Sequence, residues 1–134
     1  MKEYIDQLMA KMTLQEKIGQ LNLMVAGDIT TGGALNTQVG GDIAKGNMGG
    51  VFNIKGLDKI KALQDIAIKN SRLGIPLLVG MDVIHGYETM FPIPLALSCS
   101  WDTEAMKKVG EVSAKEASAA GINWTYSPMV DIAL

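Results

Sequence analysis

Residues 76–81 read Pro-Leu-Leu-Val-Gly-Met, a run without a polar side chain, and Asp82 closes it. A continuous apolar run of strand length belongs to a strand covered on both faces, as in a parallel sheet. Its surroundings agree. Gly50-Val51-Phe52-Asn53-Ile54 reads as a short strand, and Leu57, Ile60, Leu63 and Ala67 mark one face of a helix that stops before Gly74. Asp102 is placed to cap a further helix, with Met106, Val109 and Val112 as its apolar face and Gly121 in the left-handed position past its end. Ile122 to Tyr126 reads as another strand, broken by Ser127-Pro128. Alternating strands and helices predict an α/β fold with a parallel sheet and crossover helices. Doubly wound sheets and (β/α)8 barrels share this local pattern. A complete barrel needs about 250 residues. With 134 residues and three strands, or four if Leu21 to Ala26 is one, the chain holds under half of a barrel.

The N-terminal part opens with a helix on which Ile5, Leu8 and Met12 follow helical spacing. Thr13-Leu14-Gln15-Glu16 is a capping box, and Ile18 and Leu21 continue the apolar face beyond it. Leu21 to Ala26 could extend that helix or form a short buried strand. Gly27 to Gly50, rich in Gly, Thr and Asn, reads as loop with one helical turn near Asp42-Ile43-Ala44. Leu95 to Leu97 is too short to assign.

Composition narrows the function classes. At 48% hydrophobic and 19% charged residues the chain has the makings of a packed core. A net charge of −2 with scattered Lys and Arg gives no basic stripe, so no nucleic-acid partner is expected. No apolar stretch approaches the ~18 residues of a membrane span, so no membrane association is expected. The charged start Met1-Lys2-Glu3-Tyr4-Ile5-Asp6 lacks a hydrophobic signal core. The protein is therefore cytoplasmic, or periplasmic or secreted after removal of a signal preceding this numbering. One cysteine and one histidine exclude an internal disulfide framework and a histidine metal cluster.

Among residues that could carry chemistry, Asp82 is the most informative. It follows a buried strand directly, at the end where α/β folds build their sites. A carboxylate there can accept hydrogen bonds from sugar hydroxyls, act as acid or base, or bind a metal. It can equally be a turn residue for Val83-Ile84-His85-Gly86. His85 would need a partner to act as a base; the reading taken is a structural histidine tying the loop to a backbone carbonyl. Lys55, after the first strand, is read as a surface lysine rather than a Schiff-base former. Trp101 and Trp124 could stack on sugar rings, although Trp124, inside a strand, is assigned to core packing. Cys99, after Leu95-Ala96-Leu97-Ser98, is expected to be buried and inert. Despite 15 glycines, no dinucleotide fingerprint or P-loop is present.

Taken in order, the short motifs resemble the glycoside hydrolase family 3 enzymes, in the β-glucosidase branch. The residues are Lys11-Met12-Thr13-Leu14-Gln15-Glu16-Lys17-Ile18-Gly19-Gln20-Leu21, Gly49-Gly50-Val51-Phe52, and Ser71-Arg72-Leu73-Gly74-Ile75-Pro76 leading into Asp82-Val83-Ile84-His85-Gly86. Phe91-Pro92-Ile93-Pro94-Leu95-Ala96-Leu97, Ser100-Trp101-Asp102 and Gly121-Ile122-Asn123-Trp124-Thr125-Tyr126-Ser127-Pro128-Met129 follow. Each motif is short; their common order makes the resemblance specific. It implies a partial (β/α)8 TIM-barrel-like domain, with residues 1–134 as the N-terminal portion of the family's N-terminal domain and three to four strands of the eight.

The resemblance further implies a retaining exo-acting β-glucosidase without metal or organic cofactor. Its substrate would be a β-glucoside or oligosaccharide with a terminal non-reducing β-D-glucosyl residue. Asp82 matches the family's aspartate that binds hydroxyls of the terminal sugar in subsite −1. The family's nucleophile and acid/base match no residue of this chain, so the chain is expected to be a truncated or split piece, inactive alone, with the remainder of the glycosidase chain as its partner. A non-catalytic sugar-binding remnant of the same fold is the second reading. Four or fewer parallel strands also leave an open sheet edge and an uncovered apolar face, so the isolated chain is expected either to self-associate through this sheet or to behave as a loosely packed monomer.

Overall fold

The computed structural model describes residues 1–26 and 37–129. Their order is α1 (Lys2–Lys11), α2 (Leu14–Gly19), β1 (Leu23–Val25), α3 (Thr37–Ala44), β2 (Gly50–Phe52), α4 (Leu57–Asp65), β3 (Leu78–Met81), α5 (Pro94–Ser98), α6 (Thr103–Ala119) and β4 (Trp124–Thr125). A π-helical turn, Ile66–Asn70, continues α4. The strands form one sheet in the order β1-β2-β3-β4, every pair parallel. This is the α/β pattern read from the sequence, and within Leu21 to Ala26 the residues Leu23–Val25 form a strand.

Local signals act where the sequence places them. The Thr13 hydroxyl accepts from the Glu16 amide and the Glu16 carboxylate accepts from the Thr13 amide, completing the capping box of α2. Asp102 caps α6 by accepting from the Ala105 amide at 2.9 Å. At the other end Gly121 takes φ +90°. That conformation lets the Gly121 and Ile122 amides donate to Ser118 and Ala117, closing the helix.

Register divides the sheet into two faces. Met24, Val51 and Val79 share one face, and Leu23, Gly50 and Leu78 the other, where they are joined by Val25, Phe52, Gly80 and Trp124. Val51 and Val79 are buried in one core with Ile43, Ile54, Ile60, Leu63, Ala67 and Ala117. The opposite face is open among the described residues: Val25 is 58% exposed and Leu78 49%. The apolar run at 76–81 is therefore covered on one face only, contrary to its sequence signature. In a barrel the second face looks into the lumen and is covered by strands across the axis. Trp124, assigned to the core by sequence, stands on this open face and is 40% exposed.

Other expectations are corrected. Part of the glycine-rich stretch is helical: α3 buries Val39 and Ile43, spaced i and i+4. Two glycines between them hide that periodicity; residues 27–36 lie outside the described residues. Leu95 to Leu97 belongs to α5, which starts at Pro94, a residue suited to the first helical turn. Cys99 at its end is exposed rather than buried, because α5 buries none of its residues. On α6, Met106, Val109 and Val112 are only half-buried, and Ser113 and Ala117 are the residues that reach the interior. In the first segment Met12 is buried, whereas Ile5, Ile18 and Leu21 are exposed.

Candidate active site

Parallel α/β sheets place ligands at the C-terminal ends of their strands, where loops are free to vary. At that end of β3 the chain leaves the sheet through Asp82. Its side chain is exposed and makes no hydrogen bond or ion pair with the other described residues. A carboxylate so placed keeps its acceptor sites available for a ligand.

Beside it lies an aromatic patch on the open face of the sheet. The Tyr126 ring stands edge-on to Phe52, with centroids 5.5 Å apart, and tilts against Trp124 at 4.9 Å. Its hydroxyl is buried against the backbone of Gly80 and has no partner among the described residues. Any Cβ at position 80 would collide with the Tyr126 ring, so glycine is required there. Burial, reinforced by the negative charge of Asp82, raises the Tyr126 pKa and keeps the phenol protonated.

The segment after Asp82 is a closed loop. Val83 is buried beneath it. The His85 carbonyl accepts from the Phe91 amide at 2.8 Å, and His85 Nδ1 lies 3.1 Å from the Phe91 carbonyl oxygen. This is the tie to a backbone carbonyl read for His85. Gly86 at φ +117° makes the turn, where a Cβ would strike the Thr89 carbonyl. From α6, Glu116 accepts from the Glu88 and Thr89 amides at 2.9 and 2.8 Å and from the Thr89 hydroxyl at 2.6 Å. From the end of β2, Lys55 pairs with Glu88 at 3.1 Å, its ammonium 5.2 Å from the centre of the Tyr87 ring.

Lys55 is thus brought to the same end of the sheet as Asp82, but its hydrogen bond and charge pairing with Glu88 raise its pKa. A Schiff-base lysine needs the opposite shift. Trp101 is 92% exposed at φ +53°, just before α6, and packs in no aromatic pair. No group of three His, Cys, Asp or Glu among the described residues converges as a metal site would. Sequence reasoning missed Tyr126 and Glu116. Gly80 inside an apolar strand was the available signal for the first, since glycine there marks a close approach. No motif marks the second.

Comparison with known proteins bears on this arrangement. Residues 13–134 match the profile of the glycosyl hydrolase family 3 N terminal domain. The chain is 41% identical over 129 residues to a periplasmic beta-glucosidase of Salmonella typhimurium, a match that takes in 96% of this chain and 16% of that protein. It is 29% identical over 157 residues to a lysosomal beta glucosidase of Dictyostelium discoideum, covering 96% of this chain and 19% of the relative. Among solved structures, the beta-glucosidase of Listeria innocua in complex with isofagomine superposes with a TM-score of 0.82 at 38% identity, over 98% of this chain and 18% of that one. Residues 1–134 therefore span under a fifth of the length of these relatives. By sequence and by fold, the chain belongs to glycosyl hydrolase family 3 and matches that family's N-terminal domain.

Proposed function

We propose that residues 1–134 form the opening segment of the catalytic barrel in a retaining, exo-acting β-glucosidase. Its substrate is a terminal non-reducing β-D-glucosyl residue of a glucoside or oligosaccharide. Asp82 carries the reading: a carboxylate at the C-terminal end of β3, exposed and without a hydrogen bond or ion pair among the described residues. The similarity to β-glucosidases supports it, including Listeria innocua structures with isofagomine and with glucose. Asp82 accepts hydrogen bonds from hydroxyls of the terminal sugar and holds its ring in the reacting orientation. Hydrolysis with retention needs two further carboxyl groups about 5 Å apart, one as nucleophile and one as acid/base, and no metal. The family's motifs for these two groups match no residue of 1–134, so on this reading the remainder of the glycosidase chain supplies the pair.

Full-length protein is expected to hydrolyse 4-nitrophenyl β-glucoside and release β-configured glucose first, whereas residues 1–134 alone give no turnover. α-configured first product would contradict the retaining mechanism. Glucose binding without hydrolysis would select a non-catalytic sugar-binding protein of the same fold. Produced alone, residues 1–134 are expected to associate through the open sheet face, where Val25, Leu78 and Trp124 are exposed, or to form a loosely packed monomer. A monodisperse monomer in sedimentation with sharp near-UV aromatic signals and a cooperative melt would contradict that expectation.

A further inference from the structure

Glu116 spends both carboxylate oxygens on a loop of the candidate site rather than on its own helix. One oxygen takes the Glu88 and Thr89 amides and the other takes the Thr89 hydroxyl. Bonds to an ionised acceptor are about twice as strong as neutral ones. Two of the three end on backbone N–H groups, so they fix the main chain and not merely a rotamer. The loop so held is short and closed on itself through His85 and Phe91. It begins at Asp82, with Val83 buried beneath it, so the clasp at residues 88–89 and the Asp82 carboxylate belong to one continuous loop. The other clasp, Lys55 with Glu88, joins two exposed side chains and holds weakly in water.

We propose that Glu116 is a positioning residue of the candidate site: by clasping the loop at Glu88 and Thr89 from α6, it sets the direction of the Asp82 carboxylate. The proposal rests on the reading of Asp82 as a sugar-binding residue. The same hydrogen bonds lower the Glu116 pKa, the Thr89 hydroxyl foremost, so the clasp is ionised throughout the neutral range. Glu111 on the same helix is a natural control, since among the described residues it meets only Lys108, at 3.5 Å, on the surface.

The test uses full-length protein and 4-nitrophenyl β-glucoside. Glu116→Ala should lower kcat/KM about tenfold with the melting temperature nearly unchanged, and Glu111→Ala should change neither. Glu116→Gln should stay within about threefold of wild type, because its carbonyl oxygen can take both amides while its NH2 meets the Thr89 hydroxyl. Glu116→Asp keeps the charge on a shorter arm and should lose nearly as much as alanine; it carries the test if Glu116→Ala does not fold. In an Asp82→Ala background, Glu116→Asp should cost less than about twofold, because its effect runs through Asp82. A full, additive loss in that background, or wild-type kinetics in Glu116→Asp, would overturn the proposal. If the wild type hydrolyses no glucoside, the glucosidase reading fails, and amide exchange in Glu116→Asp decides the clasp. Faster exchange confined to residues 83–91 supports it, and unchanged exchange there overturns it.

Discussion

The two ends of the sheet are built differently. At the N-terminal ends of the strands, polar groups are spent on one another. Gln64 accepts from the Leu77 amide at 2.9 Å and donates to the Leu77 carbonyl at 2.8 Å, acting as a strand neighbour for β3. Asn123 accepts from the Val79 amide at 2.7 Å on the β4 side. Arg72 grips both oxygens of Glu16 and the Lys11 carbonyl, joining the segment before β3 to α1 and α2. Gly19 and Gly49 let backbones meet where no Cβ fits. At the C-terminal ends, Asp82 and the Tyr126 hydroxyl have no hydrogen-bond partner among the described residues, and a short loop is held from outside by Glu116. One end is satisfied internally and the other keeps its capacity for a ligand. Substitutions at the two ends should therefore report on different quantities.

The largest effect on stability is expected from Gly49→Ala. Its Cβ would run into the Gln20 backbone, which has no flexible end to move aside. Overpacking costs about 1–3 kcal/mol, and a backbone collision belongs at or above the top of that range. Denaturant unfolding of wild type and variant would measure it; equal midpoints would mean that α2 and β2 are not in close contact.

A smaller loss is expected for Gln64→Leu, which fits the space but removes both bonds to Leu77. The Leu77 carbonyl keeps the Asn123 amide at 3.3 Å, so the buried Leu77 N–H is the group left unpaired. Such a group costs about 1–3 kcal/mol. Glucoside turnover at saturating substrate should be unchanged. A variant as stable as wild type but slower would reverse the assignment of this end.

The smallest effect is an acid one. The Arg72 guanidinium first, then the Thr13 amide, hold the Glu16 carboxyl at about 2 against its ordinary 4.5. A depressed folded-state pKa gives stability that is present above the unfolded value and lost as pH falls through the folded one. The contribution should therefore fade between pH 4.5 and about 2. Melting temperature against pH should fall less steeply across that window in Glu16→Gln than in wild type. The difference should be small, because the Arg72 side chain is more than half exposed and water screens the pair. Parallel curves would show that the pair does not form.

Much of this division was legible in the residues. The capping box at Thr13, the cap at Asp102 and the turn at Gly121 are short-range chemistry, and each acts within a few residues of itself. The position of Asp82 followed from the apolar run before it. What escaped depends on partners distant in sequence. Glu116 meets Thr89 across 27 positions, and Gln64 meets Leu77 across 13. Neither contact leaves a local pattern, because one carboxylate on a helix looks like any other. The apolar run at 76–81 failed differently: a strand of a barrel has its second face covered by strands across the axis, so a signature of two-faced burial sits on a sheet that is half-open among the described residues. Cys99 failed because an apolar neighbourhood in sequence was taken for burial, while α5 lies on the surface.

On the proposed function, the C-terminal ends of the strands hold the sugar while the N-terminal ends hold the fold. Asp82→Ala and Glu16→Gln in full-length protein, each assayed for kcat/KM on 4-nitrophenyl β-glucoside and for melting temperature, test it most directly. A hydrogen bond to a charged acceptor contributes about 1.5–3 kcal/mol. Strengthened in the transition state, it predicts a loss of roughly ten- to a hundredfold in kcat/KM for Asp82→Ala with little change in melting temperature. Glu16→Gln should leave kcat/KM alone and flatten the acid melting curve. Normal kcat/KM in Asp82→Ala, or a drop in its melting temperature that accounts for lost activity, would make Asp82 a turn residue and contradict the account.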